Sequence, residues 1–108
     1  MNKIVSIIIP CYNHGKYIGR MLESVLAQSY KQIELIVVND GSTDDSEEVI
    51  LSFEKRFHEI GAIFKYIKQV NSGLGAAINA GLTKVTGEYF CWADADDYYE
   101  PNSIEARV

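Results

Sequence analysis

Two β-branched apolar runs limit what this 108-residue chain can become. "IVSIIIP" (4–10) and "IELIVVN" (33–39) are nearly continuous rather than alternating, so neither offers a polar face to water. Runs of that kind are expected of strands buried on both sides, as in a parallel sheet covered by helices. Between the two runs, Ile18, Met21, Leu22, Val25 and Leu26 recur at helical spacing. "GSTDDSEEVILSFEKRFHEIG" (41–61) predicts one well-marked helix. Ser42, Thr43 or Asp44 can cap it, acids fill its first turn, Lys55, Arg56 and His58 approach its end, and Gly61 stops it. Its inner face is expected to be Val49, Ile50, Phe53, Phe57 and Ile60.

The rest of the chain continues the alternation. "AIFKYIKQ" (62–69) reads as a third strand, less buried and at an edge. A helix with Leu74, Ala77, Ile78, Leu82 and Val85 inward follows, then a fourth strand, "EYFCWAD" (88–94), in which Phe90, Cys91 and Trp92 are expected in the core. Pro101 opens one more helix. Strands joined in this way by helices imply parallel neighbours and right-handed crossovers. The expected fold class is therefore α/β: a doubly wound, mainly parallel sheet with helices on both faces. Ligands in such sheets bind beyond the carboxyl ends of the strands, where the strand order reverses.

Composition narrows the function classes. A chain with 47% hydrophobic and 23% charged residues is ordinary for one folded domain, and disorder is not expected. A formal net charge of −5 with no Lys/Arg cluster argues against a nucleic-acid partner. Cys11 and Cys91 have no CxxC partner, so small buried residues are expected rather than a zinc site or a disulfide. The longest apolar run is too short to span a bilayer, and no signal peptide is recognised. A cytoplasmic or membrane-peripheral location is the expectation.

Polar residues collect at the strand ends: "PCYNHGKY" after the first, "NDGSTDD" after the second, "DADD" after the fourth. Each has a bland reading: Asn13 and Gly15 as a turn, Asp40 as a cap or Asx turn, the acids as a solvated loop. Asp94, Asp96 and Asp97 are the hardest to read that way. Adjacent carboxylates repel, and no Lys or Arg lies within 85–106 to neutralise them. A divalent ion resolves the repulsion, and Mg2+ or Mn2+ suits carboxylate, water and phosphate oxygens. In an extended segment Asp94 and Asp96 point to one side and can share one ion, while Asp97 points to the other.

"VSIIIPCYN", "IELIVVNDGSTDDS", "NSGLGAAINAGL" and "GEYFCWADADDYYEP" resemble, in order and spacing, the donor-binding half of family 2 glycosyltransferases. The resemblance covers essentially the whole chain, so residues 1–108 are expected to be the nucleotide-sugar-binding part of such a domain, ending before the acceptor half. It implies the GT-A fold, a nucleotide-diphosphate sugar (a UDP-sugar foremost) as donor, Mg2+ or Mn2+, and transfer with inversion. The acceptor would be a glycan, lipid or protein, with polysaccharide biosynthesis as the setting. By this resemblance Pro10, Tyr12 and Asn13 would bind the nucleotide, with the Tyr12 ring against the base. Asp40 would accept a hydrogen bond from the base imide N–H. Asp94 and Asp96 form the DxD pair: Asp94 near ribose or phosphate and sharing the ion, Asp96 coordinating it.

Three departures from the family pattern stand out. Asn39 occupies a position that is often Asp, and Ile78 one that is often Arg. The general base, a carboxylate of the acceptor half in this family, is expected beyond Val108, so donor binding is expected to exceed turnover, and the uncovered face is expected to favour self-association. The competing readings are a non-catalytic nucleotide-binding module, a plain α/β domain with an acidic rim, and a dinucleotide-binding protein. "SGLGAA" (72–77) imitates the dinucleotide fingerprint, but the sixth position of the fingerprint is Ile78 rather than Gly or Ala, and the first strand has no glycine turn. A phospho-receiver domain would need an acidic pair where this chain has "PCYN". His14 reads as a turn residue that could approach phosphate, and His58 as a helix-end charge.

Overall fold

A computed structural model describes residues 3–93 of the chain. The described residues form four strands and four helices: β1 (Val5–Cys11), α1 (Gly15–Leu26), β2 (Ile33–Asp40), α2 (Ser46–Leu51), α3 (Glu54–Glu59), β3 (Ile63–Gln69), α4 (Leu74–Leu82) and β4 (Tyr89–Trp92). The described strands form one all-parallel sheet in the order β3-β2-β1-β4. The chain steps from β1 out to β3 and then returns past β1, so the order reverses between β1 and β4.

β1 and β2 are buried along their whole length, as continuous β-branched runs require. Alternate residues divide between two cores. Ile7, Ile9, Leu35 and Val37 join Ile18, Met21, Leu22, Val25, Ile50 and Phe57 under α1 to α3. Ile8, Ile36 and Val38 meet Ala77 of α4 on the other face. The doubly wound α/β class expected from the sequence is what the structure shows, and β3 is an edge strand as expected.

Three expectations need correction. Residues 41–61 form two short helices, not one. At the break the Ser52 hydroxyl donates to the Val49 carbonyl at 2.6 Å, and Phe53 N–H reaches Ile50 O rather than the residue before it. Such back-bonding bends a helix, and Phe53 and Phe57 both turn into the core while Ile60 stays 37% exposed. On α4 the inward residues are Ala77 and Gly81, whereas Leu74 and Leu82 are exposed. The helix lies so close to β1 that a Cβ on Gly81 would sit 2.5 Å from Ile8 Cγ2. Gly81→Val is therefore expected to cost about 1–3 kcal/mol through overpacking, read as a lower urea midpoint at unchanged slope.

The third correction concerns β4. Cys91 packs against the larger core, but Phe90 and Trp92 are 56% and 46% exposed. They point to the α4 side of the sheet, and α4 covers β1 and β2 instead. Cys11 is buried and Cys91 half-buried, both as free thiols. No helix among the described residues is long and apolar enough to cross a membrane. The helix expected after Pro101, and Asp94, Asp96 and Asp97, lie outside the described residues.

Candidate functional site

At the carboxyl edge of the sheet a cleft of about 550 Å3 is lined by Pro10, Cys11, Tyr12, His14, Asp40, Asn71, Gly73, Leu74 and Ala77. The ends of β1 and β2 form its floor, and the start of α4 forms one wall. Pro10, Tyr12 and Asp40, singled out in the sequence, thus come together. The Tyr12 ring is 46% exposed and available to a ligand, while Asp40 is 4% exposed and fixed.

Asp40 is fixed by the loop between β3 and α4. Its Oδ1 accepts from Gln69 Nε2 at 2.9 Å and Ser72 N at 2.8 Å, and Oδ2 accepts from Gly73 N at 3.0 Å. Its carbonyl accepts from Asn71 Nδ2 at 3.2 Å. Burial alone would raise the carboxyl pKa, but the bonds from Gln69, Ser72 and Gly73 outweigh it and hold the group below its ordinary value. A carboxylate has about four acceptor positions, so Oδ2 keeps capacity for a ligand N–H. Gly41 makes the tight turn beyond it. With φ of 73°, and with Asn71 N only 2.6 Å from where a Cβ would lie, the position excludes any side chain. The glycine-rich turn that imitates a dinucleotide fingerprint has its Gly73 N–H engaged by this protein carboxylate.

Asn13, also singled out in the sequence, is not among the residues lining the cleft and braces the loop after β2. It takes φ of 52°, a conformation Asn tolerates. Its N–H donates to Ser42 Oγ at 3.0 Å, and its Oδ1 accepts from Thr43 N at 2.7 Å and Asp44 N at 3.3 Å. Asp44 in turn accepts from Gly15 N at 2.9 Å and from Ser46 N at 3.0 Å, joining the starts of α1 and α2 through one carboxylate. The N-cap of α2 is Asp45, one residue beyond the three capping candidates, and it makes no side-chain cap bond; Asp44 beside it takes the Ser46 N–H. Burial opposes ionisation of Asp44, and the bonds from Ser46 and Gly15 prevail, so its pKa is lowered. Asn39 completes the brace: Oδ1 accepts from Ser42 N at 3.0 Å, and Nδ2 donates to Tyr66 OH at 2.9 Å. An Asp there would lose that donor.

Burial pushes the Cys11 thiol up, so it lines the cleft as a neutral group rather than a nucleophile. No Lys or Arg is among the described lining residues, and no described cluster of three His, Cys, Asp or Glu could hold a metal. β4 runs parallel to β1 with Trp92 beside Ile8, so the chain leaves β4 toward the same edge that carries Pro10 and Asp40.

The profile described as "Glycosyl transferase family 2" matches residues 6–108. The chain belongs to glycosyl transferase family 2. It is 45% identical over 105 residues to an uncharacterized glycosyltransferase of Rickettsia prowazekii, covering 97% of this chain and 31% of that relative. The chain thus spans about a third of that relative's length. The structure of S. aureus TarS 1-349 in complex with UDP-GlcNAc superimposes with a TM-score of 0.86 at 30% identity, over 95% of this chain and 29% of that one. A mannosyltransferase of Pyrobaculum calidifontis, solved in complex with GDP-Man and Mn2+, gives a TM-score of 0.87 over 98% of this chain and 31% of its own. At 24% identity it speaks for the fold alone. Sequence reading of this family 2 chain did not assign Gln69, Asn71, Ser72 and Gly73 to the site. Gln69 closed a strand, and Ser72 and Gly73 act through main-chain N–H groups that every residue but proline has.

Proposed function

We propose that this chain is the donor-binding part of an inverting glycosyltransferase that takes a nucleotide-diphosphate sugar, with a UDP-sugar as first choice. The observation that carries the reading is the fixed Asp40 carboxylate facing one cleft with Pro10 and the exposed Tyr12 ring. A pyrimidine imide needs an acceptor held in place and a flat apolar surface for its ring, and these residues offer both. The UDP-GlcNAc complex of TarS, a protein of the same fold at 30% identity, supports the choice of donor.

The diphosphate needs positive charge that the described cleft lacks, since no Lys or Arg lines it. Asp94 and Asp96 follow β4 in the sequence and are the residues that would hold Mg2+ or Mn2+. When bound, the ion would supply electrostatic stabilisation to the leaving diphosphate. Asp40 and Tyr12 orient the nucleoside, and the β3–α4 loop shields it. The acceptor would be a glycan, lipid or protein, and the general base a carboxylate from outside this stretch. The exposed Phe90 and Trp92 favour self-association; a sharp monomer by light scattering at high concentration would count against that.

Calorimetric titration with UDP, with and without Mn2+, tests the reading. Binding is expected to need the metal, and Asp96→Ala is expected to weaken it at least tenfold while leaving the melting temperature near that of the wild type. Metal-independent binding that survives Asp96→Ala would remove the ion from the proposal.

A further inference from the structure

The main chain on either side of Tyr12 is tied to one hydroxyl. Ser42 Oγ accepts from Asn13 N at 3.0 Å and donates to Cys11 O at 3.5 Å. Asn13, directly after Tyr12, holds φ of 52°, a conformation that residues other than glycine seldom keep without support. Ser42 is itself secured from below. Its N–H donates at 3.0 Å to Oδ1 of Asn39, which is buried. A main-chain N–H can only donate, so the oxygen of the Asn39 amide must face Ser42 and its NH2 must face Tyr66. Tyr66 OH accepts from Asn39 Nδ2 at 2.9 Å and donates its own hydrogen to Glu47 Oε2 at 2.9 Å. These groups form a chain with a fixed direction, running from α2 and β3 to the turn after β1.

We propose that Ser42 is a positioning residue for the donor, acting through Tyr12 by fixing the main chain that carries its ring, with Asn39 and Tyr66 keeping Ser42 in place. The proposal rests on the nucleotide-sugar reading above, in which Tyr12 packs against the base. Tyr12 lines the cleft, and its half-exposed ring takes its direction from the backbone. None of Asn13, Asn39, Ser42 and Tyr66 lines the cleft, so an effect of theirs on binding must pass through a residue that does. Without the clamp a ligand would have to order this turn as it binds. That ordering lowers affinity without removing any contact to the ligand. The chain of bonds also gives position 39 a reason to be Asn. Tyr66 has a single hydroxyl hydrogen and gives it to Glu47, so its partner at 39 must be a donor.

The test titrates uridine, and UDP with Mn2+, into the wild-type chain, Ser42→Ala, Ser42→Thr and Tyr66→Phe, and repeats Ser42→Ala in a Tyr12→Leu background. Ser42→Ala is expected to weaken both ligands by the same factor, roughly fivefold, and to speed deuterium exchange of the Asn13 amide. Ser42→Thr keeps the hydroxyl and is expected to restore both. Tyr66→Phe leaves Asn39 Nδ2 without its acceptor, and its affinities are expected to fall between those of Ser42→Ala and the wild type. In the Tyr12→Leu background Ser42→Ala is expected to change affinity little, because the ring it serves is gone. Equal losses in the two backgrounds would overturn the proposal. So would a lowered melting temperature with wild-type affinities, the result a purely structural role predicts. A loss confined to UDP would put the effect at the diphosphate and overturn it too. If Tyr12→Leu binds too weakly to titrate, the Ala and Thr pair decides, and a loss that Thr does not recover counts against the hydroxyl. A wild type that binds neither ligand sinks the nucleotide-sugar reading along with this one; binding that is indifferent to Ser42→Ala sinks this one alone.

Discussion

Replacing Glu34 by alanine is expected to lower the unfolding free energy by about 3–5 kcal/mol. Glu34 sits near the amino end of β2 and is fully buried, at the opposite edge of the sheet from the cleft. Its Oε1 accepts from Ser6 Oγ at 2.6 Å and Thr86 N at 2.9 Å, and its Oε2 from Thr86 Oγ1 at 2.7 Å and Lys65 Nζ at 2.7 Å. Gly87 N adds a bond to Ser6 Oγ at 3.1 Å. One carboxylate therefore ties β1, β2, β3 and the α4–β4 connection. Alanine would leave several donors without their acceptor, which costs more than the net worth of the bonds themselves. A domain of this size has about 5–15 kcal/mol in total, so the variant should be largely unfolded at modest urea. Glu34→Gln keeps the shape but turns an NH2 toward Lys65 or Thr86, and an intermediate loss is expected.

The same residue sets an acid limit. Burial pushes the Glu34 pKa up, but the Lys65, Ser6 and Thr86 contacts more than reverse this and bring it from 4.5 down to about 2. A carboxyl lowered on folding stabilises the fold fully above its unfolded value and loses that contribution as pH falls through its folded one. About 3 kcal/mol is thus expected to drain away between pH 4.5 and about pH 2. Urea titrations at pH 7, 4 and 3 check it. The acid-induced loss should be smaller in Glu34→Gln, and equal losses in both proteins would assign the effect to other carboxylates.

Glu34 also marks the limit of what could be read from the chain. Its place in an otherwise apolar buried run, "IELIVV", was a visible signal that it must be paired. Its partners, Ser6, Lys65 and Thr86, come from three other segments and are joined only by the strand order. The cores under α1 and on β1 and β2 were legible because burial on both faces leaves a continuous apolar run. The inner face of α4 was legible in part: Ala77 and Val85 pack against the second core as expected. Hydrophobic spacing favours Leu74 and Leu82, but close approach to Ile8 selects Ala77 and Gly81. Phe90 and Trp92 read as core because of their type, whereas their exposure depends on which strand α4 covers. At the site, Pro10, Tyr12 and Asp40 could be found because strand ends carry ligands in such sheets. The turn reading of Asn13 describes its observed bonds.

Asp40→Asn is expected to weaken UDP binding roughly 10- to 100-fold, the loss of one charge-assisted bond together with its supporting loop. Gln69 Nε2, Ser72 N and Gly73 N all converge on the carboxylate as donors. An amide has one acceptor oxygen, so either Gly73 or the Gln69 and Ser72 pair would face an NH2 instead. The loop carrying Asn71, Gly73 and Leu74, which forms the cleft wall, should then open more often. The amides of Ser72 and Gly73 are expected to exchange faster with deuterium in the variant, before any nucleotide is added. Acid should imitate the substitution. Burial opposes the charge and the three donors overcome it, so the pKa is lowered, and the brace is complete above the ordinary carboxylate range and fails as pH drops through the lowered value. Binding and exchange measured on one set of samples separate the two parts of the effect. Faster exchange with unchanged UDP affinity would leave Asp40 as a loop brace only. Weaker binding with unchanged exchange would make it a ligand contact whose loop does not depend on its charge. The joint loss is expected because the same two oxygens serve both the loop and the cleft.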